Sequence, residues 1–127
     1  MDSWPREISA ITLFVEDLET AKQFYQKVFG LPVAFEDGAS AVFKFKHALI
    51  NLLKASAAVE LIEPGAVGSR EAGSRFQLTI TVDDVDAIYA ELSSRGVHFL
   101  NGPIDRPWGV RTASFQDPAG HIWEIAK

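Results

Sequence analysis

The feature that most constrains the fold is an internal repeat that covers most of the chain. The segments "ITLFVEDLETAKQFYQKVFGLPV" (residues 11–33) and "LTITVDDVDAIYAELSSRGVHF" (residues 78–99) share one pattern. Each begins with an alternating apolar strand, continues with an Asp and a helix with apolar residues three and four positions apart, and reaches a Gly. Asp84 follows Asp17 by 67 residues. The repeat therefore predicts two modules with the same topology.

Each module contains one helix whose start and end are predicted by single residues. Asp17 and Asp84 lie where the helices begin, and their carboxylates can accept hydrogen bonds from the first helical amides, which have no partner within the helix. Gly30 and Gly96 lie where the helices end and can adopt the left-handed conformation found there.

Three strand candidates follow each helix, so we predict an α+β fold made of two βαβββ modules. The turn "DPAG" (residues 117–120) has Pro second and Gly fourth, as type I turns prefer. Each helix can cover one face of its own sheet, which leaves a concave face to be buried by something else. The predicted strands are residues 32–36, 40–45, 48–54, 97–100, 109–115 and 121–126. We predict a single domain, residues 1–127, with modules at 7–54 and 75–127 and a linker at 55–74.

Composition excludes several classes of function. The 127 residues include no cysteine, so disulfides, thiolate metal sites and a thiol nucleophile are excluded. The net charge is −5 without a cluster of basic residues, which makes nucleic acid a poor partner. No apolar run is long enough to span a membrane, and "MDSWPREIS" lacks the layout of a signal peptide. We expect a cytoplasmic protein with neither nucleic-acid nor membrane partners.

Strand alternation predicts which side chains face the hollow between the modules. The aliphatic residues of the first strand suit the helix-packed face, so Thr12 and its neighbours at even positions face the hollow. The repeat places Gln77 on the equivalent side of the second module. Asn51 and Glu124 occupy matching places in the two closing strands. The symmetric positions of this concave face are Ala10, Asn51, Gln77 and Glu124.

The same alternation, extended to the middle strands with Lys44 facing water, predicts aromatic walls. Phe43, Phe45 and Phe115 then present their rings to the hollow, and Arg111 can pair with an acidic or carbonyl group of a ligand. Phe residues on such a face are commonly core residues, and an Arg at this place can instead pair with a neighbouring Asp. Both interpretations stay open here.

Two tryptophans lie outside the predicted strands. Trp108, in "DRPWGVR", lies where a loop enters a strand, and its ring can stack on a planar ligand. Trp4 lies in an N-terminal arm that can dock on a partner or cover its own core.

Three motifs resemble the vicinal oxygen chelate superfamily, which includes glyoxalase I, the extradiol dioxygenases and the bleomycin-resistance and related antibiotic-binding proteins. The motifs are "FVEDLETAKQFYQKVFGLPV", "TVDDVDAIYAEL" and "RPWGVRTASFQDPAGHIWEI", and the resemblance covers residues 7–126. It implies a glyoxalase-like fold. It also implies a homodimer, since relatives exchange modules between two chains.

The resemblance implies a metal site that this sequence does not complete. Metal-using members place His, Glu or Gln ligands at the equivalents of the four symmetric positions. Here Ala10 has no donor atom, Asn51 and Gln77 offer neutral amides, and only Glu124 is a strong ligand. By predicted position, the histidines at 47, 98 and 121 do not replace the missing donors. We expect no metal or other cofactor; if a metal is present, Glu124 and Gln77 hold it.

The sequence therefore favours a metal-independent small-molecule-binding protein of the bleomycin-resistance-like type, sequestering a ligand such as an antibiotic in an aromatic pocket. The alternative is a metal-dependent enzyme of the glyoxalase or dioxygenase type with an atypical metal site, for which no catalytic residue is predicted. A third possibility is a family member whose pocket is filled by its own side chains. The predicted ligand-binding residues are Glu124, Gln77, Asn51, Thr12, Phe43, Phe45, Trp108, Arg111 and Phe115.

Overall fold

The computed structural model describes residues 5–127, so Trp4 lies outside the described part of the chain. The chain divides into two compact units, Met1–Val67 and Gly68–Lys127. Each unit contains one copy of the repeat, and the α+β fold with two four-stranded sheets agrees with the prediction.

The first unit forms a four-stranded sheet in the order β1-β4-β3-β2. β1 pairs with β4 in parallel, and the remaining pairs are antiparallel. A second helix follows the last strand directly. The elements are β1 (Ala10–Val15), α1 (Leu18–Phe29), β2 (Val33–Glu36), β3 (Ser40–Lys44), β4 (Leu49–Lys54) and α2 (Ala55–Ile62).

The second unit repeats this topology, with the strand order β5-β8-β7-β6. β5 pairs with β8 in parallel, as β1 does with β4. A short 3-10 helix, Arg70–Ala72, precedes the sheet. The elements are β5 (Gln77–Thr81), α3 (Val85–Ser94), β6 (Phe99–Asp105), β7 (Arg111–Gln116) and β8 (Ile122–Ala126).

The predicted helix boundaries are confirmed by the local geometry. The carboxylates of Asp17 and Asp84 each accept a hydrogen bond of 3.0 Å from the backbone N–H three residues further on. Gly30 follows α1 with φ of 64°, and Gly96 follows α3 with φ of 88°. These are the left-handed conformations that glycine adopts without steric cost.

α1 covers one face of the first sheet. Tyr25 is fully buried and its ring lies 5.9 Å from that of Phe43 on β3. Leu13 and Val15 of β1 are buried, as predicted for the helix-packed face. The opposite face of this sheet, which carries Thr12, Val42 and Asn51, is called the first open face below.

The prediction of which β3 side chains face the hollow was wrong. Phe43 lies opposite Ile50 and packs under α1, and the ring of Phe45 lies 5.2 Å from that of Phe29 on the same helix. Lys44 pairs with Leu49 on the open side. A charged side chain does not distinguish the two faces when the open face is itself solvated, and a shift of one residue moves every side chain to the other face.

The same error affected β7. Phe115 is the register partner of Trp123. The Phe115 ring lies 5.4 Å from the ring of Phe99, which contacts Tyr89 of α3. Arg111 is also on the α3 side, where it binds Asp86 through two hydrogen bonds of 2.9 Å. These side chains support the fold from the helix-covered face.

The segment predicted as a linker contains α2. This helix starts immediately after β4 and packs against β4 and β1. Its sequence, "ASAAVELI", contains three Ala, one Glu and one Leu, which favour helix. The 3-10 helix lies further along the same segment.

Candidate functional site

The face of the second sheet opposite α3 carries a row of polar side chains. Thr79 lies opposite Glu124, and its hydroxyl donates a 3.0 Å hydrogen bond to Glu124 Oε1. Gln77 precedes Thr79 by two residues on β5, so it projects from the same face. Ser114, on the neighbouring strand β7, also lies opposite Glu124. This surface, called the second open face, brings the predicted residues Gln77 and Glu124 together.

Arg106 extends this polar row and was not among the predicted residues. Its Nε donates a 2.9 Å hydrogen bond to Oγ1 of Thr112, a β7 residue that is only 1% exposed. Its Nη2 lies 3.4 Å from Oδ1 of Asn101. The signal for Arg106 was its position in "DRPWGVR", beside the predicted Trp108.

Trp108 lies at the tip of the turn between β6 and β7. The turn is closed by a 3.0 Å hydrogen bond from the backbone N–H of Gly109 to the carbonyl of Arg106. The Trp108 side chain is 71% exposed. An indole in this position is available to a ligand and contributes little to the core.

The first open face carries the equivalent polar pair. Thr12 lies opposite Asn51, and Nδ2 of Asn51 lies 3.5 Å from Oγ1 of Thr12. Oδ1 of Asn51 is buried and has no hydrogen-bond partner within the described residues. A buried amide oxygen without a partner carries a desolvation cost that a donor group can relieve.

A pocket of about 670 Å³ lies beside this asparagine, between the first open face and α2. Pockets that hold small molecules have about 300–1,000 Å³, apolar walls and a few polar groups. The pocket offers amide, hydroxyl and carboxylate groups together with leucine and alanine side chains. Its lining residues are Ser40, Asn51, Leu53, Ala57, Glu60, Leu61 and Glu63.

A second cavity, of about 540 Å³, surrounds the start of α1. Most of its charged side chains already have partners. The backbone hydrogen bond of the helix cap lowers the pKa of Asp17, and the amides of the following turn lower the pKa of Asp37. Glu19 and Glu36 both pair with Lys22 and raise its pKa. These contacts stabilise the fold, so we assign no ligand to this cavity.

Of the three histidines, His121 is held by a structural contact. Nδ1 of His121 lies 2.9 Å from Oδ2 of Asp117, a carboxylate that is only 1% exposed. Asp117 also accepts the backbone N–H of Ala119 and of His121, which holds the "DPAG" turn closed. His47 and His98 are exposed.

In neither unit do the donor groups at the symmetric positions fit a transition-metal site. Ala10 contributes no donor, Asn51 and Gln77 contribute amides, and Glu124 contributes one carboxylate already bonded to Thr79. Such sites use three or four strong protein donors. Among residues 5–127, no three His, Cys, Asp or Glu side chains are grouped so as to hold a metal ion.

No helix within residues 5–127 is long and apolar enough to cross a membrane.

Comparison with known proteins gives one consistent family. Residues 7–125 match the family described as "Glyoxalase/Bleomycin resistance protein/Dioxygenase superfamily". The chain is 35% identical over 121 residues to "Uncharacterized protein YraH" of Bacillus subtilis (strain 168), covering 92% of this chain and 94% of that protein.

Two solved structures illustrate the similarity in fold. A glyoxalase/bleomycin resistance protein/dioxygenase from Nocardioides has a TM-score of 0.87 and 26% identity, covering 98% of this chain and 83% of that one. Lactoylglutathione lyase from Agrobacterium tumefaciens has a TM-score of 0.76 and 25% identity, covering 96% of this chain and 93% of that one.

Proposed function

Since the chain belongs to the Glyoxalase/Bleomycin resistance protein/Dioxygenase superfamily, we propose that it is a metal-independent small-molecule-binding protein of the bleomycin-resistance-like type. The observation that supports this most is the donor set at the four symmetric positions. One carboxylate, two amides and an alanine supply fewer strong donors than the three or four that transition-metal sites use. The carboxylate and the two amides can form hydrogen bonds with an organic ligand.

The two open faces supply these contacts in the proposed function. Glu124 and Gln77 offer acceptors and a donor on the second open face, and Trp108 offers an exposed ring on the turn that precedes β7. Asn51 and Thr12, the equivalents of Glu124 and Thr79, offer an amide and a hydroxyl on the first open face. Because Phe43, Phe45, Phe115 and Arg111 lie on the helix-covered faces, they are no longer proposed as ligand contacts.

A thermal-shift screen tests this proposal. The panel contains antibiotics, aromatic acids, aromatic amines, thiol conjugates and divalent metals. We expect organic compounds to raise the melting temperature by mass action without added metal, and Glu124→Gln to reduce that shift. A panel in which only metals stabilise the protein would contradict the proposal.

A metal-dependent enzyme of the glyoxalase or dioxygenase type is the second candidate. It is supported by the similarity to a solved structure named as a lactoylglutathione lyase. Activity that appears with a stoichiometric divalent metal, and is lost when Glu124 is changed to Gln, would favour this candidate over the first.

A pocket filled by the protein's own side chains is the third possibility. The 670 Å³ pocket beside Asn51 argues against it for the first unit.

A further inference from the structure

Arg106 provides a positive charge on the second open face, and among residues 5–127 it forms no ion pair with a carboxylate. We propose that Arg106 binds the carboxylate of a small organic acid, and that this acid is the class of ligand the protein takes. The inference rests on the proposed binding function and specifies its ligand chemistry.

Arg106 differs from neighbouring arginines in its partners. Arg111 is paired with Asp86 and Asp105, at 2.9 and 3.0 Å. Arg95 is paired with Glu91 at 2.6 Å. Arg106, in contrast, bonds to a hydroxyl and an amide oxygen, and within residues 5–127 it forms no ion pair. Its positive charge is therefore not matched by a nearby carboxylate of the described chain.

The guanidinium of Arg106 is held in place before any ligand binds. The bond from Nε to the buried Thr112 and the contact of Nη2 with Asn101 fix its plane. Guanidinium carries five N–H donors, so donors on both Nη atoms remain available. A planar carboxylate can accept two parallel hydrogen bonds from such a fork, which is a stronger and more specific contact than a single one.

The strand register separates Arg106 from the acidic group on the same face. Thr112, which holds Arg106, and Ser114, which lies opposite Glu124, are two residues apart on β7. Two residues along a strand span roughly 7 Å. Glu124 bonds to Thr79 and forms no ion pair with Arg106. The face thus presents opposite charges that remain apart.

This spacing defines the ligand more closely. A molecule with a carboxylate at one end and an amino or hydroxyl donor at the other can satisfy both groups. An aromatic group on such a molecule can also contact the exposed Trp108 ring, which belongs to the same turn as Arg106. Amino- or hydroxy-substituted aromatic acids combine these features.

Matched acids and amides test the proposal. The probes are benzoate and benzamide, indole-3-acetate and indole-3-acetamide, and 4-aminobenzoate and 4-aminobenzamide, titrated calorimetrically into the full chain. We expect each acid that binds to do so about tenfold or more tightly than its amide, the effect of a charged hydrogen-bond pair. Arg106→Gln should remove this preference, and Arg106→Lys should retain only part of it.

Two further variants separate binding from folding. Arg95→Gln removes one positive charge from the end of α3 and should leave the preference for acids unchanged. Thr112→Val removes the hydroxyl that orients Arg106 and should reduce the preference while Arg106 itself remains. If circular dichroism shows that Arg106→Gln does not fold, the NMR signal of the Arg106 Nε–H group in the unchanged protein is measured instead. We expect its chemical shift to change saturably as acid is added.

Two outcomes overturn the proposal in distinguishable ways. If acids and amides bind equally, or if the preference survives in Arg106→Gln, the Arg106 inference fails and the binding function stands. If no probe and no compound of the wider thermal-shift panel binds, the proposed function itself fails, and this inference fails with it.

Discussion

Glu124 and Asn51 hold equivalent positions in the two sheets, yet only one of them is charged. Each lies beside a threonine that the repeat also places in register, Thr79 and Thr12 respectively. Thr79 donates a hydrogen bond to the Glu124 carboxylate, whereas Oδ1 of Asn51 is left without a partner. The proposed chemistry depends on this difference, because the carboxylate can accept from a cation and the amide oxygen can accept from a neutral donor.

Replacement of Glu124 by Gln should weaken binding of ligands that carry an amino group. We expect a loss of about 1–3 kcal/mol, the usual effect of removing the charged member of a hydrogen bond. Calorimetry on any amine-bearing compound from the screen measures this loss. Glu91→Gln on α3 is the matched control, since it removes a carboxylate from a helix surface. Unchanged affinity in Glu124→Gln would contradict a role for this carboxylate.

Replacement of Trp108 by Ala should separate binding from stability. With 71% of the side chain exposed, the free energy of unfolding should change by no more than about 0.5 kcal/mol. Affinity for planar ligands should fall. Phe43→Ala is the contrasting variant, since that ring is fully buried and its removal should cost about 3–5 kcal/mol. Urea denaturation compares the two, and a large loss of stability in Trp108→Ala would assign Trp108 to the core.

Some residue roles could not be predicted from the sequence. Gln77 and Glu124 were placed correctly on one face, because β5 and β8 alternate regularly. Phe43 and Phe115 were placed on the wrong face, because Lys44 was assigned to the solvated side and the repeat extended that alternation from β3 to β7. Arg106 was not predicted, because its proposed role depends on a hydrogen bond to Thr112. The periodicity of a sequence does not reveal such a side-chain contact.

At the scale of the element, the helices were the easiest to predict. Asp17 and Asp84 are followed by amides that need acceptors, and both caps form as expected. β6 was harder to predict, because its pairing with β7 shifts register twice along its length. Irregular pairing of this kind disturbs the simple alternation on which strand prediction depends.

The capping aspartate of α1 should make stability depend on acidity. The backbone hydrogen bond of the cap lowers the pKa of Asp17 below its ordinary value of 3.8. A carboxyl with a depressed folded-state pKa stabilises the fold above that ordinary value, and the contribution is lost as the pH falls through the lower folded-state pKa. Asp17→Asn can still cap the helix but cannot titrate.

Urea denaturation of both proteins between pH 2 and pH 6 measures this effect. We expect the stability of the wild-type chain to fall more steeply below about pH 4 than that of Asp17→Asn. Parallel curves for the two proteins would show that the cap does not contribute to acid sensitivity.

At the scale of the whole molecule, the repeat predicted two units of one topology, and each unit forms its own sheet. The oligomeric state could not be derived from the periodicity of the sequence. A surface that is buried against a second chain has the same pattern of apolar residues as a surface that is buried in the core. We propose a homodimer on the basis of the superfamily resemblance. Several large apolar side chains of the described chain remain exposed and are compatible with a partner, among them Leu49, Leu61 and Leu100.

Light scattering coupled to size-exclusion chromatography tests the dimer. The expected mass is about twice that of one chain of 14.0 kDa. A single species with the mass of one chain at micromolar concentration would contradict it.

The most direct test of metal-independent binding combines elemental analysis and calorimetry on one sample. The purified protein is analysed for bound metals, treated with EDTA, and titrated with a compound that the thermal-shift screen identifies. We predict substoichiometric metal before treatment and the same affinity after it. Stoichiometric zinc, nickel, iron or manganese, together with loss of binding after EDTA and its return on adding that metal, would contradict the proposed function.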